Sequence, residues 1–299
     1  MLLSEMKDHP TLVRMILFGY SGKGKSTSLI PLAIPGIVKD FPGYRLRIID
    51  ADGKFQEVAE QNLKARLDRV RANKLRLTPI TKEQYEIAAA NIDIESVREK
   101  TKMTKQGEVD IVGEPKGWIK MATALDRWAK DDDETSILVI DSWTHLCRAP
   151  LLGWAMSLQG KQYSQFGSGP HGRDYMVPQT KAKALMLNLA DRKSNVIVCA
   201  HQSPMDVRLK TGETDDKGQA VEEVVHSEMA MLSVGSAGRV ELPSEFNHCL
   251  VATSDADGNR KISTQVEDGV TTKTPFFATA DKSYSLNDGL AKYFMLGRK

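Results

Sequence analysis

Residues suited to holding phosphate lie close to the start of the chain, in Met15-Ile-Leu-Phe-Gly19-Tyr-Ser-Gly22-Lys-Gly24-Lys25-Ser26-Thr27. Gly19, four residues, then Gly24-Lys25-Ser26 is the spacing of a phosphate-binding loop. In such a loop backbone N–H groups cradle the α/β-phosphates, a lysine reaches the β/γ-phosphates and a hydroxyl meets Mg²⁺. Glycine has no Cβ, so it takes positive φ and lets the backbone approach an anion, while the helix that follows offers unpaired N–H groups. The expected nucleotide-binding set is Gly19, Ser21, Gly22, Lys23, Gly24, Lys25, Ser26 and Thr27. Pro31 removes a helical hydrogen bond soon after Lys25, so the helix after the loop is expected to be short or kinked.

A second chemistry-bearing residue closes the apolar run Ile137-Leu-Val-Ile140-Asp141-Ser142. A buried parallel strand reads as a continuous hydrophobic run, and an acid at its carboxyl end can hold the Mg²⁺ that bridges the phosphates. Alone, such a strand end is equally a helix cap; beside the loop it points to an NTP with Mg²⁺ held by Ser26 and Asp141. Tyr44-Arg-Leu-Arg-Ile-Ile49 ends in Asp50-Ala-Asp52, which puts two further acids at a strand end. Each either faces the phosphates or caps the helix starting near Lys54; for Asp50 the cap is favoured, and for Asp52 the two readings balance. Asn195-Val-Ile-Val-Cys-Ala200 closes on His201-Gln202, a polar pair placed to sense a γ-phosphate.

These side chains need a sheet to bring them together. The strands near 15, 45, 137 and 195 alternate with helical periods, which predicts an α/β fold with a mostly parallel central sheet. The stripe Trp118, Met121, Ala122, Leu125, Trp128, Ala129 marks a core-facing helix, and Ala182, Leu185, Met186, Leu189, Ala190 another. Residues 248–266 read as a C-terminal β-hairpin, and Leu290 to Leu296 as a short terminal element. Residues 56–114 look like a mixed helical insertion into a single domain spanning 1–299. The basic run Lys64, Arg66, Arg69, Arg71, Lys74, Arg76 reads as a solvated face or as a phosphate-backbone contact. Mobile loops are expected at 159–174 and 203–238. The first interleaves cations with rings, as a single-strand binder does, and Lys161, Tyr163, Phe166, Arg173, Arg208 and Lys210 are the DNA-contact candidates.

Composition bounds the rest. The chain of 299 residues is 41% hydrophobic and 27% charged with a formal net charge of +2, so no global field argues for nucleic acid. Cys147, Cys199 and Cys249 have no metal-ligand spacing and read as buried thiols in a reducing cytoplasm. No apolar run approaches membrane-spanning length.

The order of these pieces resembles a RecA-superfamily ATPase core. More narrowly, it is similar to phage-encoded RecA-like ATP-binding proteins associated with single-strand annealing and recombination. The likeness covers most of residues 12–55 and 115–280. It implies ATP and Mg²⁺ as cofactors and single-stranded DNA as partner. It also implies a homo-oligomer with nucleotide between subunits, and a host-cytoplasmic location. Lys25, Asp52, Asp141 and Gln202 would carry the reaction: Asp141 as the Walker B acid, and Gln202 as the link from γ-phosphate to DNA. Asp52 stands where the family places a glutamate that activates water, one methylene shorter. Arg260, Lys261 and Lys273 are candidates for a cation supplied by a neighbouring subunit.

Three other readings share the loop: a hexameric helicase or packaging motor, a nucleotide-gated assembly protein with little turnover, and a small-molecule kinase, for which no arginine-rich lid is evident. All of them require the lysine. Lys25→Ala is expected to abolish ATP binding in an equilibrium titration, and unchanged affinity would remove the site assignment.

Overall fold

In the computed structural model the described residues are 12–69, 77–167, 173–214, 220–231, 245–254, 259–264 and 283–297. The elements run β1 (Arg14–Phe18), α1 (Lys25–Leu29), β2 (Arg45–Asp50), α2 (Phe55–Leu67), α3 (Lys82–Ala90), β3 (Ile92–Ser96), β4 (Thr101–Met103) and β5 (Val109–Ile111). There follow α4 (Gly117–Trp128), β6 (Ser136–Asp141), α5 (Trp143–Leu146), α6 (Ala149–Ser157), α7 (Arg173–Ala190) and β7 (Asn195–Ala200). The chain ends with β8 (Gln202–Thr214), β9 (Ala220–Met231), β10 (His248–Ser254), β11 (Arg260–Ser263), β12 (Ser283–Ser285) and α8 (Gly289–Leu296).

Eight strands form one sheet in the order β12-β11-β10-β1-β7-β6-β2-β3. The six from β10 to β3 are parallel, and β11 and β12 add an antiparallel edge. Strand side chains alternate between two cores. Met15, Leu17, Ile48, Val139 and Leu250 join Leu29, Phe55, Leu63, Leu290 and Phe294 on one face, under α1, α2, α3 and α8. Ile16, Phe18, Ile140, Val198 and Val251 join Trp118, Leu125, Leu146, Leu151 and Met186 on the other, under α4, α5, α6 and α7. A sheet buried on both faces explains why its central strands read as unbroken hydrophobic runs. Parallel pairing brings the carboxyl ends of β1, β7, β6 and β2 to one edge.

The helix α1 ends at Leu29 and passes into a 3₁₀ turn over Ile30–Ala33 with Pro31 at its start, the short helix expected from that proline. In α4 the buried stripe is Trp118, Met121, Ala124, Leu125 and Trp128; Ala122 and Ala129, expected on it, face solvent. Trp118 stacks on Trp154 of α6 at 6.0 Å, so it packs two helices together. The stretch 56–114, expected as an insertion, contributes to the sheet itself. Ile92 and Ile94 of β3 pack on the first core while Asp93 and Glu95 alternate with them, and β3 pairs in parallel with β2. The stretch 203–238, expected as a loop, differs too: β8 and β9 pair antiparallel as a separate ribbon. Alternation at Met205, Val207 and Leu209 is the period-2 signal behind it. Among the described residues no helix is long and apolar enough to cross a membrane.

Arg66, taken from the sequence as part of a basic surface, is instead buried in full. Its Nε donates to Asn62 Oδ1 at 2.7 Å, and its guanidinium to the carbonyls of Thr78 at 3.3 Å and Asn287 at 2.7 Å. Asn287 closes the ring: its amide donates to Thr78 Oγ1 at 2.8 Å, and its Oδ1 accepts from Thr78 N at 2.9 Å. The guanidinium thus ties α2 to the segment before α8. Of the remaining basic run, Arg71, Lys74 and Arg76 lie outside the described residues. Truncation leaves buried acceptors without donors. Arg66→Ala is expected to lower the unfolding free energy by about 2–4 kcal/mol in urea titration, and a loss below about 1 kcal/mol would contradict this role.

Candidate functional site

The loop between β1 and α1 is shaped by its glycines. Gly19 has φ +151°, and a Cβ there would stand 2.6 Å from the carbonyl oxygen of Ala252 on β10, so no larger residue fits against that neighbouring strand. Gly24 has φ +89° and lies against Leu286 and the Arg260 side chain, whose Cδ would be 3.4 Å from a Cβ at 24. Lys25 follows and is 6% exposed. Its Nζ folds back to donate to the carbonyls of Gly19 at 2.7 Å and Tyr20 at 3.0 Å. Burial lowers its pKa, opposed by the charges of Asp141 and Asp52. Ser21 and Gly22 are exposed, Lys23, Gly24, Ser26 and Thr27 half-buried, and Lys23 Nζ donates to Ser254 Oγ at 2.6 Å.

Asp141 at the end of β6 comes to the same place. It is 5% exposed and hydrogen-bonds Ser26. Burial pushes its pKa up to about 6, against the Ser26 hydroxyl, and the neighbouring Asp50 charge adds to the rise. The two acids at and just past the end of β2 separate in role. Asp50 accepts from Gly53 N at 2.7 Å and Phe55 N at 3.0 Å, so it organises the turn into α2, as favoured from its sequence position. The side chain of Asp52 is 41% exposed, and its Oδ1 stands 3.7 Å from His145 Nε2.

At the end of β7, the backbone N–H of His201 donates to Thr144 Oγ1 at 3.0 Å, and its ring meets that of His145 edge-on at 5.2 Å. Burial, then the Lys25 charge, push the His201 pKa down to about 4, so the imidazole is neutral at pH 7. Gln202 is 6% exposed, and its Oε1 has no hydrogen-bond partner among the described residues. The sheet therefore brings Lys25, Ser26, Asp52, Asp141, His201 and Gln202 to one edge. No protein-family model matches the chain. A search of curated proteins also returns no match.

His145 is the residue sequence reasoning passed over. It sits in Asp141-Ser-Trp-Thr-His145, on the one-turn helix α5, whose N-cap Ser142 accepts from His145 N at 3.5 Å. That turn swings the third helical residue back over the strand end. A histidine four residues after a strand-terminal acid was the signal available.

The DNA-contact candidates are more dispersed. Lys161 Nζ pairs with Asp174 Oδ1 at 2.8 Å, and Phe166 meets Tyr175 at 4.7 Å, so both secure the loop to the start of α7. Tyr163 is half-buried, which raises its pKa. Arg208 and Lys210 fall on β8 opposite Val224 and Glu222; their side chains and that of Arg173 lie outside the described residues. Lys273 and the tip of the hairpin between β10 and β11 also lie outside them.

The donor set at the edge has a definite chemistry. A serine hydroxyl and a carboxylate are hard oxygen ligands of the kind Mg²⁺ takes, while water and phosphate oxygens usually complete its shell. Among the described residues no cluster of three or more His, Cys, Asp or Glu has the geometry of an all-protein metal cage. Because its pKa is raised, the Asp141 carboxylate costs stability above about pH 6, and that cost fades as pH falls toward the ordinary carboxylate range. Asp141→Asn is expected to stabilise the nucleotide-free protein at pH 8 by roughly 2–3 kcal/mol in urea titration, with the gain gone near pH 4. A less stable variant at pH 8 would contradict the burial account.

Proposed function

We propose that the chain binds ATP with Mg²⁺ through a P-loop and hydrolyses it as a RecA-like ATPase acting on single-stranded DNA in annealing or recombination. One observation carries this reading. The loop after β1 leads into Lys25 and Ser26 at the start of α1, β6 ends in Asp141, β2 leads to Asp52 and β7 leads to His201 and Gln202, all at one sheet edge. Ligands of open α/β sheets bind at the carboxyl ends of the strands.

The roles follow from charge and reach. The loop amides and Lys25 neutralise the β/γ-phosphates, and Ser26 with Asp141 would hold the Mg²⁺, which supplies further charge neutralisation when bound. Asp52 has a half-exposed carboxylate, suited to orienting the attacking water. Phosphoryl transfer needs this positioning more than covalent chemistry. Gln202 supports a link between nucleotide and DNA because it is both the buried amide at the end of β7 and the first residue of the β8–β9 ribbon. A change at the γ-phosphate thus has a direct backbone route into the ribbon that carries Arg208 and Lys210. Arg260 lies beside Gly24 of its own chain. It can therefore serve the loop within one subunit, while Lys261 and Lys273 remain further candidates for a cation from a neighbouring subunit of the proposed oligomer.

A second reading, a nucleotide-gated assembly protein with little turnover, is favoured by Asp52, whose short side chain leaves the water less tightly held. An ATPase assay with and without single-stranded DNA separates them. The expected result is slow basal turnover that rises several-fold with single-stranded DNA at low salt and loses that stimulation as salt increases. No DNA binding and no change in turnover would overturn the recombination reading while leaving ATP binding to stand.

A further inference from the structure

Two imidazoles stand over the site, and the proposed chemistry uses neither as an acid or base. His201 is held by its backbone and pushed deep into the neutral range by burial. His145 is different, because both ring nitrogens have neighbours. Nδ1 is 2.9 Å from Ser142 Oγ, and Nε2 is 3.7 Å from Asp52 Oδ1. The ring is braced edge-on by His201 at 5.2 Å. The backbone carbonyl of Asp52 accepts from Arg98 at 3.1 Å. Among the described residues, His145 is the one side chain that comes within ion-pair distance of the carboxylate.

We propose that His145 is the positioning residue for Asp52: it relays the rigidity of the Asp141–Leu146 turn to the carboxylate, fixing where the attacking water is held. This rests on the ATPase reading above and adds a residue to it. Ser142 Oγ already accepts the His145 backbone N–H, so its hydroxyl proton is free to donate to Nδ1. The neutral ring then carries its own proton on Nε2, the atom facing Asp52. At 3.7 Å the pair is within ion-pair range, one small rotation of a half-exposed carboxylate from a hydrogen bond. An aspartate reaches less far than a glutamate and so gains more from a neighbour that fixes its direction. Burial lowers the His145 pKa, and the charges of Arg148, Arg98 and Lys54 add to that against the pull of Asp52, so the ring is neutral at pH 7.

Two measurements test this. In steady-state ATP turnover, His145→Ala is expected to lower kcat about 10- to 100-fold while KM for ATP stays within about twofold, the mark of an interaction made in the transition state. His145→Gln, whose amide can donate in place of Nε2, is expected to recover much of that loss. The second measurement needs no activity: an NMR titration of the His145 ring protons in the nucleotide-free protein. Asp52→Asn removes the one carboxylate that raises the His145 pKa and is expected to lower it further. Unchanged kcat in His145→Ala, or an unmoved His145 titration in Asp52→Asn, would overturn the proposal. A wild-type chain that binds ATP without turning it over, with the titration shifted as expected, would overturn the hydrolytic function and the role given to His145 while leaving the contact itself.

Discussion

A buried ammonium needs oxygen around it, and the arrangement of this site follows from how Lys25 obtains it. The loop after β1 curls so that the Gly19 and Tyr20 carbonyls point back at Nζ. That curl is possible only because Gly19 can sit against the backbone of β10 at a φ closed to other residues. The lysine is thereby held in a partly desolvated place, and among the described residues no carboxylate lies in hydrogen-bond contact with it. A cation in that condition is short of counter-charge. Asp141 answers part of the shortage, and in turn the lysine charge offsets part of the burial that raises the Asp141 pKa. A polyphosphate with a divalent ion would satisfy both groups, and this unsettled electrostatic balance is the physical reason to read the edge as a binding site.

The sheet makes that balance possible. Six parallel strands place their carboxyl ends together, and side-chain alternation sends one set of residues into each core, so the polar groups at the strand ends reach a common edge. The antiparallel pair β11 and β12 extends the sheet past β10 and brings Arg260 and Leu286 against Gly24. The C-terminal part of the chain is therefore a wall of the loop as well as an edge of the sheet. Arg66 contributes from further away, because its bond to Asn287 fixes the segment that follows Leu286.

Much of this was legible in the sequence because it was written in local patterns. Glycine spacing marked the loop, Pro31 marked the short α1, and apolar runs closed by acids marked β2 and β6. The parts that were not legible depend on pairing over distance. The strand Ile92-Asp-Ile-Glu-Ser96 is half polar, as an edge strand with one covered face is, and it looked like irregular chain. The ribbon β8–β9 hid behind its glycines and charges. Arg66 resembled its basic neighbours, since only the distant Thr78 and Asn287 distinguish a buried guanidinium from a solvated one. His145 was missed because its meaning lies in a contact with Asp52, 93 residues earlier in the chain. Asp50 and Asp52 show the same limit. Their spacing allowed either to cap or to project, and only the turn geometry divides the roles between them.

The central claim is that the edge holds a nucleoside triphosphate together with a divalent ion. Isothermal titration calorimetry with a non-hydrolysable ATP analogue, run once with Mg²⁺ and once with EDTA, tests it most directly. The account predicts one site per chain with Mg²⁺ and an affinity at least about tenfold weaker in EDTA, a loss of about 1.4 kcal/mol or more. No saturable binding, or binding indifferent to Mg²⁺, would contradict it.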